Sequence, residues 1–211
     1  MKLLLLGATG GVGSHLLRQA LAAGHDVTVL VRDESGLDDA ARHEADGVRV
    51  VVGDATSADD VAEAVVGQDA VLNAVGSRRV RHPVEVEVGE ALLPAMQASG
   101  VRRLVVCSAF GVGDSEGDAS ALQKIFFHTV LGKVYEAKEA ADAQVRASGL
   151  DWTLVYPTRL VDDPAAGDVV ASEHLPDGAS TQVTRADVAR FMLAQLGDDT
   201  WLRRTAVLTG A

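Results

Sequence analysis

The stretch Gly7-Ala8-Thr9-Gly10-Gly11-Val12-Gly13 governs the reading of this chain. It follows the apolar run Leu3-Leu4-Leu5-Leu6. It opens a segment in which Val12, Leu16, Leu17, Ala20 and Leu21 recur at helical spacing, ending near Gly24. Strand, glycine turn and amphipathic helix, in that order, begin a nucleotide-binding βαβ unit. The glycines at 7, 10 and 13 form G-x-x-G-x-x-G, a spacing variant of the dinucleotide fingerprint. Glycine there permits the tight turn, then close approach of backbone to a pyrophosphate, then tight packing of helix on strand. Backbone N–H groups from Thr9 to Gly13, at the start of the helix, would receive the negative charge. The plainer alternative is a tight turn with no ligand.

Working outward, apolar runs at 2–7, 27–31, 48–52, 70–75, 104–108 and 152–156 are mostly continuous rather than alternating, as in parallel strands covered on both faces. Helical spacing is expected over 84–99 and 134–148. A last helix begins at Thr184 as N-cap, with Asp187 three residues on and Val188, Phe191, Met192 and Leu196 as its inner stripe. Alternation of this kind predicts an α/β fold: a doubly wound parallel sheet, a Rossmann fold, in a single domain over 1–211. The irregular region 109–133 is expected to form a lid-like insertion, with Leu122, Ile125, Phe126 and Val130 marking a short amphipathic helix. A second irregular stretch runs over 157–183.

Composition narrows the function classes. The chain has 211 residues, 47% hydrophobic and 23% charged, with a single Cys. That excludes a disulfide scaffold and a multi-thiolate zinc site, and the six His lack metal-ligand spacing. The 19 basic and 30 acidic residues give a net charge of −11, which discourages binding to nucleic acid or anionic membrane. The N-terminal leucine run breaks after four residues, too short for a signal peptide. A soluble, cytoplasmic protein acting on a small molecule is expected.

Three strand ends carry candidate cofactor contacts. The second strand ends Val31-Arg32-Asp33. An acidic residue there suits a ribose 2′-hydroxyl and Arg suits a 2′-phosphate, so Arg32 favours NADP while Asp33 leaves NAD open. Gly53-Asp54-Ala55 follows the third strand; Asp54 either accepts from the adenine amino group or caps the next helix. Asn73-Ala74-Val75-Gly76 ends the fourth, small enough for the backbone to run beside the cofactor.

The turn Gly7 to Gly13, Val-Arg-Asp at 31–33, Gly-Asp at 53–54, Gly-Gln-Asp-Ala-Val at 67–71 and Ser-Gly-Leu-Asp-Trp-Thr at 148–153 resemble atypical short-chain dehydrogenase/reductases with NAD(P)H-binding domains. Within them the chain looks most like the biliverdin-IXβ reductase/flavin reductase group, with NmrA-like proteins as cousins. The resemblance implies hydride delivery from NADPH to a flavin, a linear tetrapyrrole or another planar conjugated acceptor. Ordinary superfamily members use Ser plus Tyr-x-x-x-Lys on one helix, the Tyr as proton donor and the Lys holding the ribose. Ser108 stands where that Ser belongs; its hydroxyl serves the acceptor or the nicotinamide amide, or only satisfies the last backbone groups of the strand. Tyr135-Glu136-Ala137-Lys138 has spacing three. Lys138 fits the family's Lys, which leaves Val134 at the Tyr position and turns Tyr135 ~100° around the helix. Tyr135 is nevertheless carried as a candidate proton donor. Asp142 is expected to be a solvated helix residue, and Cys107 inert core. Backbone groups around Pro157, Thr158 and Leu160 would bind the nicotinamide carboxamide by the same resemblance. Phe126, Phe127 and His128 either cover a planar substrate or anchor the insertion. The competing expectation is a non-catalytic NAD(P)-binding redox sensor of NmrA-like type.

Overall fold

In the computed structural model of the chain, residues 1–37, 48–77, 83–165 and 167–211 are described. Eight strands form one sheet: β1 (Lys2–Leu6), β2 (Asp26–Val31), β3 (Val48–Val52), β4 (Ala70–Asn73), β5 (Arg103–Cys107), β6 (Asp151–Pro157), β8 (Val169–Ser172) and β10 (Arg204–Gly210). Their order is β3-β2-β1-β4-β5-β6-β10-β8; every neighbouring pair is parallel except β8 against β10. Short β7 (Arg159–Val161) and β9 (Gln182–Thr184) pair separately. The strand order reverses between β1 and β4, and a doubly wound sheet opens its ligand crevice at the carboxyl ends of such a pair. The six expected strands thus form the sheet's core as a Rossmann fold.

Two helical layers cover the sheet because its strands are apolar on both faces. Leu3 and Leu5 face α1 (Gly11–Ala22) and α6 (Arg185–Ala194), with Leu16, Leu17, Val188 and Met192 buried between them. Leu4 and Leu6 face the other layer, α2 (Ala58–Val65), α3 (Glu85–Ser99) and α5 (Gly132–Ala147). Thr184 caps α6 as its spacing predicts, its hydroxyl accepting from the Asp187 N–H at 3.0 Å.

The insertion divides in two. Phe110, Val112, Ser115 and Ala119 are buried, so its first half belongs to the core. Its second half is the expected helix α4 (Ala121–Val130), but Leu122 and Ile125 face solvent, 79% and 61% exposed, rather than forming an inner stripe. The side chains of Phe126, Phe127, His128 and Val130 lie outside the described residues. No helix among the described residues is long and apolar enough to cross a membrane.

Candidate active site

The glycine turn is shaped by backbone crowding. A Cβ on Gly13 would stand 2.0 Å from the Gly7 carbonyl oxygen, and one on Gly7, whose φ is +82°, would stand 2.6 Å from the Ala74 carbonyl. Gly10 closes the turn by donating its N–H to Gly7 O at 2.9 Å. Gly10 is also the N-cap of α1 and makes no side-chain cap bond, so the first N–H groups of α1, from Gly11 to Gly13, point outward from the turn. The side chain of Val12 is buried beneath them. Arg185 lies over Gly11, its Cδ and Nε at the place a Cβ would take, and its Nη1 donates to Asp162 at 2.6 Å.

A cleft of about 580 Å³ extends from this turn across the carboxyl ends of β1 to β4. Gly7, Thr9, Gly10, Arg32, Asp54, Ala55, Val75 and Gly76 line it together. Asp33 is engaged elsewhere, as the cap of the short turn Glu34–Gly36, where it accepts from the Ser35 N–H at 2.8 Å and its hydroxyl at 2.6 Å. That leaves Arg32 as the charged side chain of the β2 end that lines the cleft. Asp54 braces its own loop, accepting from the Thr56 N–H and hydroxyl, both at 2.9 Å. The Thr56 N–H bond and the nearby Arg32 help hold its carboxyl below the usual range. Helix α2 is capped instead by Ser57. The cleft fits a dinucleotide: bare backbone at the turn, outward N–H groups at one helix start, and a guanidinium at one end.

Val75 and Val88 also border a side chamber of about 30 Å³, room for a water molecule, lined by Asn73, Glu85, Cys107, Ser108, Lys138 and Asp142. Ser108 and Lys138 are therefore brought together. Lys138 Nζ lies 3.7 Å from Glu85, which is buried and accepts from the Ser77 N–H at 3.0 Å and its hydroxyl at 2.5 Å. Tyr135 is not part of this chamber. Its ring packs on the core and its hydroxyl donates to the Phe110 carbonyl at 3.1 Å, with burial pushing its pKa up to about 12. Burial likewise pushes the Cys107 thiol up to about 11, so it stays protonated.

Two expectations need correction. Asp142 is not a solvated helix residue: it is 2% exposed, and its Oδ2 accepts from Ser108 Oγ at 2.7 Å and Tyr156 Oη at 2.8 Å. It falls on the stripe of α5 that also carries Val134, Lys138 and Val145, turned inward. Tyr156 in turn accepts from Arg146 Nη2 at 2.9 Å. Neither Tyr156 nor Arg146 stands out in the sequence, although i and i+4 spacing joins Asp142 to both Lys138 and Arg146. The second correction concerns the strand after β6. The Thr158 N–H donates to Leu208 O at 2.9 Å, and the Pro157 carbonyl accepts from the Phe110 N–H at 3.0 Å. The Thr158 hydroxyl also bonds within the sheet, to Leu208 O and Thr209, and Leu160 pairs with Val183 across β7 and β9. The Thr158 N–H and hydroxyl are thus engaged within the sheet rather than presented to a carboxamide. Among the described residues no cluster of His, Cys, Asp and Glu could hold a metal.

Comparison with known proteins agrees with this geometry. A family model described as NAD(P)H-binding matches residues 7–199. The uncharacterized sugar epimerase YhfK of Bacillus subtilis is 28% identical over 216 residues, covering 99% of this chain and 94% of that protein. Phenylcoumaran benzylic ether reductase PT1 of Pinus taeda is 26% identical over 160 residues, 73% of this chain and 47% of that one. The solved structure of ChuY, an anaerobilin reductase of Escherichia coli O157:H7, superposes with a TM-score of 0.84 at 25% identity, covering 100% and 97% of the two chains. A Veillonella parvula short-chain dehydrogenase/reductase in complex with NADP shares the fold, with a TM-score of 0.82 at 21% identity over 99% and 94%. The chain belongs to the NAD(P)H-binding family.

Proposed function

We propose that this protein is an NADPH-dependent reductase of a planar conjugated acceptor such as a flavin or a linear tetrapyrrole. The observation that carries the reading is the shared wall of two spaces. The dinucleotide cleft with Arg32 at one end borders, through Val75 and Val88, the chamber that holds Ser108 and Lys138. Arg32 supports NADPH over NADH, because a guanidinium matches a 2′-phosphate and Asp33 is engaged as a cap. When bound, the nicotinamide supplies a hydride. In this reading the chain's own residues position and protonate: the glycine turn holds the pyrophosphate, Lys138 bonds the neighbouring ribose, and the Ser108 hydroxyl serves the acceptor. No tyrosine hydroxyl lines the chamber among the described residues. That suits an acceptor needing little acid assistance at the atom receiving the hydride, with positioning supplying up to ~7–11 kcal/mol of the barrier. The likeness to ChuY, an anaerobilin reductase, supports the reductase reading.

The test is NADPH oxidation followed by absorbance with FMN, FAD and biliverdin in turn. Turnover of at least one is expected. An NAD(P)-binding regulator that docks a protein partner is the second reading, and the exposed Leu122 and Ile125 on α4 favour it. Tight cofactor binding with no turnover of any acceptor would select that reading.

A further inference from the structure

Asp142 is a buried acidic group that cofactor binding does not use. It lies beneath the cleft floor at the middle of a chain of polar atoms. Arg146, exposed on α5, donates to the Tyr156 hydroxyl oxygen; Tyr156 donates to Asp142 Oδ2; and the same oxygen is 2.7 Å from Ser108 Oγ. The Arg146 bond fixes the direction of the chain, because guanidinium N–H groups only donate and so leave the Tyr156 O–H to point at Asp142.

We propose that Asp142 is the proton store of the reduction, passing its proton to the Ser108 hydroxyl as that hydroxyl protonates the acceptor. This deepens the reductase reading and rests on it. The Ser108 O–H bond breaks as an N–H or O–H bond forms on the acceptor, and the Asp142 O–H bond breaks as the Ser108 O–H reforms. The electron pair comes from the reduced nicotinamide, and Asp142 regains its proton from solvent before the next turnover. The carboxylate left behind accepts from both Ser108 and Tyr156, which is the two-donor arrangement the structure holds.

The surroundings suit a group that releases and regains a proton. Burial raises the Asp142 pKa most strongly. The Ser108 and Tyr156 hydrogen bonds and the charges of Lys138 and Arg146 pull it back. Facing it are Lys138 and Arg146 from its own helix, Ser108 and Cys107 from the β5 end, Tyr156 from β6, and Glu85 of α3 through Lys138. The small chamber gives returning solvent a place beside the carboxyl.

The full chain tests this with Asp142→Asn and Tyr156→Phe. The amide of Asp142→Asn keeps the size of the side chain but cannot release a proton. Its turnover of FMN, FAD or biliverdin should fall at least tenfold, and by up to the ~10²–10⁴-fold that general acid catalysis contributes. NADPH affinity by fluorescence titration should stay within twofold, and the fall of kcat with rising pH should vanish. A readout without turnover is an infrared carboxylic-acid band, which the proposal expects in wild type at neutral pH and not in Asp142→Asn. Tyr156→Phe removes one donor from the carboxylate, so the band's titration and the kcat limb should move to higher pH together. A purely structural role would not link the two shifts. Unchanged kcat and pH profile in Asp142→Asn, or no carboxylic-acid band in wild type at neutral pH, overturns the proposal while leaving the reductase intact. No wild-type turnover of any of the three acceptors, with the band present, overturns the reductase reading beneath it.

Discussion

Replacing Gly13 by Ala tests whether the turn is set by backbone crowding. The new methyl would stand 2.0 Å from Gly7 O and 2.7 Å from Gly7 C, against an ordinary contact of at least 3.4 Å. Helix α1 would have to move back by about 1.4 Å, the difference between 3.4 and 2.0 Å. No side chain can yield instead, because the obstruction is the Gly7 peptide. Such a shift drags Leu16, Leu17 and Ala20, all buried against the sheet, out of register with β1 and β2. Overpacking of this kind costs about 3 kcal/mol, at the top of the usual range. For a domain of this size that lowers Tm by roughly 6–12 °C. Gly11→Ala is the control. Its methyl meets Arg185 Cδ and Nε, side-chain atoms that can swing away at the loss of an ion pair with the exposed Asp162. That pair is worth ~0–1 kcal/mol, and Ala in place of Gly in a helix returns a similar amount. Thermal unfolding by circular dichroism, with NADPH affinity measured alongside, separates the two. A Gly13→Ala protein melting within about 2 °C of wild type, or a Gly11→Ala protein falling as far as Gly13→Ala, would refute the crowding argument.

Arg32→Ala should weaken NADPH about ten- to hundredfold, the worth of a ~1.5–3 kcal/mol charge-assisted bond, and leave NADH nearly unchanged. Equal losses in calorimetry would show that Arg32 does not read the 2′-phosphate. Tyr135→Phe should leave turnover within about twofold and cost ~0.5–1.5 kcal/mol of stability through the lost bond to Phe110 O. A collapse of kcat with cofactor affinity intact would instead make Tyr135 the proton donor. The raised pKa of Asp142 has a stability signature of its own. The folded state binds this proton more tightly than the unfolded state, so wild type loses stability as pH rises from the ordinary Asp value, about 3.9, through the raised one. Asp142→Asn removes that loss. Its melting temperature should gain on wild type over that window and stay level above it, and a gap between the two that does not change with pH would contradict the shift.

The core strands are legible because each is a mostly apolar run, and the glycine spacing points to the cleft. β10 is not legible in the same way: its apolar stretch, Ala206-Val207-Leu208, is three residues long between threonines. Only pairing with β6 and β8 makes it a strand. β7 and β9, three residues each, likewise depend on one another. Leu122 and Ile125 show the reverse error, since a helical apolar period gives a face but not what covers it. Local pattern could not resolve Asp142, because its partners Ser108 and Tyr156 lie 34 and 14 residues away. The available signal was its place on the inward stripe with Val134, Lys138 and Val145.

That stripe explains how a reductase can work without the helix tyrosine. Val134, Lys138 and Asp142 succeed one another at four-residue steps, about 6 Å apart along the axis of α5. A hydroxyl at position 134 would stand one turn before Lys138. This chain has a buried valine there and places its acid one turn beyond Lys138, below the floor. Tyr135, rotated ~100° from Val134, is held by the Phe110 carbonyl and cannot swing into the donor's place without giving up that bond. An acid beneath the floor reaches the acceptor only through Ser108, and the Ser108 hydroxyl has a reach of one hydrogen bond, about 2.7–2.8 Å. The acceptor must therefore bring a basic nitrogen or oxygen down to Ser108 while the atom receiving the hydride stays over the nicotinamide. A flat conjugated ring system meets both demands, because the site of reduction and the site of protonation are separate atoms of one plane.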